Sequence, residues 1–151
     1  MKKNHYFLSF WAFVLLNFIL VACKKYDEGG PIHKTEKNLA TEWRLVEYLN
    51  NGTDKTSTLL ITNYREAYSG NGVFSRSYTD KNGSPVTDDG RWLFKENEKT
   101  LSISNVGSIE ITVESGTVSS SSFSILRLNK KEFWYYFING NVRHEFRFVR
   151  N

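Results

Sequence analysis

Phe133-Trp134-Tyr135-Tyr136-Phe137-Ile138-Asn139-Gly140-Asn141-Val142-Arg143-His144-Glu145-Phe146-Arg147-Phe148-Val149 reads as strand, turn, strand. Asn139-Gly140-Asn141 supplies residues that accept positive φ, which a tight hairpin needs. On either side the side chains alternate. Phe133, Tyr135 and Phe137 share one face of the first strand, and Trp134 and Tyr136 the other. Val142, His144, Phe146 and Phe148 share one face of the second, and that face looks inward. One aromatic set is core. The other, Trp134 with Tyr136, is either a contact surface for protein or sugar or a face covered by another part of the chain.

The same grammar runs upstream. Phe123 to Leu128 is a strand joined to the hairpin through Asn129-Lys130-Lys131. Trp43 to Leu49 alternates, with Trp43, Leu45, Glu47 and Leu49 on one side, and turns at Asn50-Asn51-Gly52. Ser57 to about Tyr68 is a second strand with a bend near Asn63, followed by the hairpin turn Ser69-Gly70-Asn71-Gly72. Val73 to Thr79, Thr87 to Lys95, Leu101 to Ser104 and Ile109 to Glu114 continue the series. Ser115 to Ser122 is a loop or a solvent-facing edge. No helix of any length is expected after residue 37. Eight or nine short strands in sequence predict an all-β, antiparallel up-and-down arrangement. Closing it into a barrel removes its edges.

These residues resemble the lipocalin-like domains of Bacteroidetes lipoproteins, over roughly Leu39 to the end. Leu39 through Trp43-Arg44-Leu45-Val46 is similar to the family's opening Leu, Gly-x-Trp and strand, with Thr41 standing where the Gly would be. Gly90-Arg91-Trp92-Leu93-Phe94 followed by Leu101-Ser102-Ile103 is similar to its second Gly-x-Trp strand and returning partner. Ser124 to Leu128, Glu132 to Tyr135 and Glu145 to Phe148 are similar to its closing strands. The resemblance implies an eight-stranded barrel or half-open barrel over residues 38–151, and relatives with the wider fold bind small apolar ligands in the barrel; the first expectation here is a non-catalytic barrel with such a ligand. Trp43, Trp92, Tyr135, His144 and Phe146 are the expected ligand wall.

The N-terminus is an address. Lys2 and Lys3 precede an apolar run from Tyr6 to Ala22, broken only by Ser9 and Asn17. A basic start, an apolar stretch and a small residue before a cut make a secretory signal. Leu20-Val21-Ala22-Cys23 is similar to the lipobox of bacterial lipoproteins. That implies a signal peptide over residues 1–22, a thioether-linked lipid on Cys23, and a flexible tether over residues 23–37. The competing reading is an uncut membrane span, for which the run is at the short edge of sufficient length. Lys24-Lys25-Tyr26-Asp27-Glu28 resembles the short signal after the cysteine in surface-displayed lipoproteins. The expected place is the outer membrane, on its periplasmic or its cell-surface face, with the membrane as partner through the lipid.

Cys23 is the only cysteine, so no internal disulfide and no cysteine zinc site can form. Removing Lys2 and Lys3 with the signal leaves 18 basic against 16 acidic side chains, a net charge of +2. There is no basic stripe of the kind nucleic-acid binders carry. His144 is the one histidine of the domain, and no cofactor or metal is expected. Asp80, Asp88 and Asp89 fit no calcium loop and read as solvated turn residues. No nucleophile elbow or phosphate loop occurs. Two functional readings stand: a ligand-binding barrel, and an envelope interaction module with a filled core and an outer patch at Trp134 and Tyr136.

Overall fold

The computed structural model describes residues 36–95, 99–106, 111–113, 116–118 and 120–151. The apolar run, Cys23 and the chain up to residue 35 lie outside them, as do parts of the stretch between residues 107 and 119.

One helical turn, α1 (Glu36–Leu39), precedes eleven strands: β1 (Glu42–Asn50), β2 (Thr53–Asp54), β3 (Thr62–Tyr68), β4 (Val73–Thr79), β5 (Pro85–Lys95), β6 (Thr100–Ser104), β7 (Ile111–Val113), β8 (Gly116–Val118), β9 (Ser122–Leu128), β10 (Glu132–Asn139) and β11 (Val142–Arg150). The main sheet runs β11-β10-β9-β6-β5-β4-β3-β1, and β11 pairs back onto β1, so eight strands close a barrel. Every neighbouring pair is antiparallel. β2 is an added strand on β1, and β7 and β8 form a separate two-stranded sheet. Ile111–Val113 is therefore outside the wall. The barrel, its core and its floor lie within residues 36–151, so this segment holds every described contact that closes it.

The β10–β11 hairpin follows its alternation. Phe133, Tyr135 and Phe137 are buried, facing Phe148, Phe146 and His144 across the ladder. The first strand departs from the expected phase. A bulge between Leu45 and Glu47 shifts the β1–β11 register, because two residues of β1 oppose one step of β11. Beyond it the faces exchange: Tyr48 turns into the barrel and Glu47 turns out to Arg147. The second expected strand is also shorter. Asp54 caps Thr56 through its backbone N–H and hydroxyl, which fixes a 3-10 turn at Thr56–Thr58. The strand begins only at Thr62, and Asn63 takes positive φ at the expected bend.

The two ends of the barrel differ. At one, α1 covers the bore, with the Trp43 indole N–H donating to the Leu39 carbonyl at 3.0 Å. Thr41 serves there without glycine, its carbonyl accepting from the Tyr68 N–H. Leu39, Trp43, Leu128, Phe133 and Phe148 are fully buried, with Phe74 and Tyr68 nearly so. This end is a filled aromatic floor. At the other end lie the turns after β1, β4 and β10. There Leu59, Ile61, Tyr78 and Val106 pack against the core but stay partly accessible. This end is the mouth.

Candidate functional site

The interior is not uniformly apolar. In β3, Tyr64, Glu66 and Tyr68 alternate onto the inner face. Glu66 is 1% exposed. Its Oε1 accepts from the Tyr64 hydroxyl at 2.8 Å and the Tyr135 hydroxyl at 2.7 Å, and its Oε2 from the Tyr68 hydroxyl at 2.6 Å. Tyr135 stands on β10, three strands from β3 around the wall. The Glu66–Tyr135 bond is thus a strut across the bore. Burial pushes the Glu66 carboxyl above its ordinary 4.5, while the three hydroxyls and the Arg76 charge pull it back. Burial, then the adjacent carboxylate, pushes all three phenols well above 10.0, so they remain donors.

Arg76 of β4 is the direct cross-strand neighbour of Glu66, and Asp88 of β5 that of Arg76. Arg76 is 3% exposed and gives its Nε and Nη2 to Asp88 Oδ2 at 2.8 and 2.7 Å. Asp88 is thus a wall residue of a strand that starts at Pro85, not a solvated turn residue. Asp80 instead closes its own turn by accepting from the N–H groups of Asn82 and Ser84. Asp89, the next residue along the strand, is exposed. The three aspartates do not converge.

Nearer the mouth, the Tyr48 hydroxyl and His144 Nδ1 are 2.7 Å apart. Burial holds His144 below its ordinary 6.5, so the ring is neutral. Phe137 stacks on it at 5.2 Å.

The expected wall residues divide between these levels. Trp43 and Trp92 belong to the floor: the Trp92 indole N–H donates to the Ser69 carbonyl at 3.0 Å, and its ring meets Tyr68 edge-on. Tyr135 is the strut. Phe146 packs against Tyr135 and Tyr48, and His144 lies above it towards the mouth. The structure therefore brings His144 and Phe146 together and leaves Trp43 and Trp92 beneath the strut. Glu66 and Arg76 went unread, although Tyr64-x-Glu66-x-Tyr68 and Phe74-x-Arg76-x-Tyr78 each place a charge on an aromatic face.

Outside, Trp134 and Tyr136 are half-buried under arginines. Arg127 and Arg147 lie 4.8 and 4.5 Å from the Trp134 ring, and Arg143 lies 4.3 Å from Tyr136. Glu145, almost buried, accepts from Arg143 and Arg147. The outer aromatic pair is thus part of a cation–π and salt-bridge layer rather than a bare patch.

Closed eight-stranded topology, a helical turn over one end and loops around the other define a lipocalin-like barrel. The chain is similar in structure to a lipocalin-like protein from Bacteroides uniformis, at 18% identity and TM-score 0.50, covering 73% of this chain and 97% of that one. It is also similar to Japanin from Rhipicephalus appendiculatus, whose structure holds cholesterol, at 7% identity and TM-score 0.54, covering 78% of each chain. No family model matches the sequence. No curated protein matches it.

Proposed function

We propose that this chain is an outer-membrane lipoprotein, held by lipid on Cys23, whose non-catalytic barrel takes a compact apolar or amphipathic molecule at its mouth. The observation that carries the ligand reading is the division of the bore. Below Glu66 and Tyr135 the core is closed by the fully buried Leu39, Trp43, Leu128, Phe133 and Phe148, with Phe94 partly accessible beside Trp92, whereas above them Leu59, Ile61, Tyr78 and Val106 are all partly accessible. A ligand in this barrel is therefore short or lies partly outside, against apolar rims such as Leu60 and Ile138, which are 44% and 65% exposed. Japanin, with cholesterol, offers an apolar ligand of the class meant. The anchor rests on Leu20-Val21-Ala22-Cys23.

Mass spectrometry of small molecules released from purified residues 36–151 tests the ligand reading. A stoichiometric apolar or amphipathic compound supports it. An empty domain that also binds no added octyl-chain amphiphile contradicts it. For the anchor, Cys23→Ala should release the protein from the membrane fraction and abolish incorporation of a palmitate label; retention of both would refute lipidation. The interaction-module reading ranks second, because the arginines already occupy the rings of Trp134 and Tyr136.

A further inference from the structure

The inner wall carries an unbalanced charge. Glu66, Arg76 and Asp88 stand in one row across β3, β4 and β5, each the direct neighbour of the next. Three hydroxyl donors on the two oxygens of Glu66 suit a carboxylate. The row is then minus, plus, minus. Among the described residues, no other buried ionised side chain lies on the inner face of the strands. His144 is held neutral by burial and the tyrosines remain protonated. Glu145, Glu47 and Glu132 all sit outside, on arginine partners. Among the described residues this row thus carries one more negative charge than positive, and the excess falls on Asp88 at its solvent-facing end.

The excess is accessible there. Arg76 is closed in, but the Asp88 side chain is 30% exposed. Both arginine contacts fall on its Oδ2, and Oδ1 has no partner among the described residues. Tyr78 follows Arg76 on the same inner face, diagonal to Asp88 and near the mouth. Its ring stacks on Tyr64 with centroids 6.0 Å apart. A carboxylate oxygen beside an aromatic ring suits a cation with donors, and an ammonium group has three.

We infer that the mouth selects a ligand with a protonated amine, its ammonium donating to Asp88 beside the Tyr78 ring and its apolar part lying against Leu59, Ile61 and Val106. This rests on the reading that the mouth takes a ligand, and it names the chemical class of that ligand. Glu66 has a positioning role, since its charge biases Arg76 and leaves Asp88 in need of a second cation.

The test compares three probes of one length, octylammonium, 1-octanol and octanoate, by isothermal titration calorimetry on residues 36–151 at neutral pH and matched ionic strength. The expected order is octylammonium tightest, by about tenfold or more over octanol, as for a charge-assisted hydrogen bond in a part-buried site. Octanoate should bind weakest. Asp88→Asn should collapse the ammonium-to-alcohol ratio towards one, and so should Glu66→Gln, which keeps the shape of the carboxylate. The unmutated protein alone decides the order should either variant fail to fold. Equal affinity for octylammonium and octanol, or octanoate binding tightest, overturns the charge inference and leaves the ligand reading standing. Absence of binding by all three overturns both.

Discussion

Replacing Tyr135 by Phe removes one hydroxyl and little else, which makes it the sharpest probe of the strut. The ring contacts of Tyr135 with Phe123, Phe133, Phe146 and Phe148, at centroid distances of 4.8 to 5.4 Å, survive in a phenylalanine. What disappears is the 2.7 Å bond to Glu66 Oε1, inside a site that water does not reach. A hydrogen bond to a charged group contributes about 1.5–3 kcal/mol, and the variant leaves Glu66 with two donors in place of three. We expect a loss of about 2 kcal/mol. For a domain of this size that lowers Tm by roughly 8 °C. Urea unfolding of residues 36–151 should show a lower midpoint at an unchanged slope. A double-mutant cycle with Glu66→Gln should give a coupling of about 1 kcal/mol or more, since the two groups touch. Tyr136→Phe, on the outer face of the same strand, is the control and should lose under about 0.5 kcal/mol. A Tyr135→Phe loss as small as that, or strict additivity with Glu66→Gln, would refute the strut.

Trp92→Ala should destabilise the barrel by about 3–5 kcal/mol, measured by urea unfolding, because it empties part of the floor and removes one of the two donors to the Ser69 carbonyl, the Gly72 N–H remaining. Octanol affinity measured under conditions where the variant is folded should change less than twofold. Gly90→Ala should lose at least about 1–3 kcal/mol in the same assay, since a Cβ there would overlap the Ser104 carbonyl and Val106. His144 is held below 6.5, so folding favours the neutral ring. Its contribution is present above pH 6.5 and is lost as pH falls from 6.5 towards the lower folded value. Midpoints for the unmutated protein should therefore decline across that window, and His144→Phe should flatten the decline.

Much of the fold was legible because period-two alternation and tight turns are local. The β10–β11 hairpin needs nothing beyond its own residues, and Asn139-Gly140-Asn141 fixes its phase. The bend at Asn63 was legible for the same reason, since asparagine tolerates the positive φ found there. The phase of β1 was not. The bulge after Leu45 is set by pairing with β11, about a hundred residues away, and it reverses which of Glu47 and Tyr48 faces in. Ser57 and Thr58 read as the start of the second strand, but the Asp54 side chain offers the backbone a turn there instead. The site was half legible. His144 and Phe146 follow from alternation, whereas Trp43 and Trp92, expected in the ligand wall, belong to the floor, which becomes apparent only when the two ends of the barrel are distinguished. Glu66 and Arg76 were visible as charges on aromatic faces. Their meaning depends on β3 and β4 pairing in the register that sets one against the other.

The central claim is that the bore is closed at Glu66 and Tyr135, and that any ligand stays above them. Nuclear magnetic resonance of 15N-labelled residues 36–151, titrated with 1-octanol, tests this most directly. The neutral probe keeps the result independent of the charge inference. The account predicts shifts at the backbone amides of Tyr78, Val86, Asp88, Phe137 and His144, with the indole N–H signals of Trp43 and Trp92 unmoved. Movement of those two indole signals while the mouth amides stay still would place the ligand beneath the strut and contradict the account.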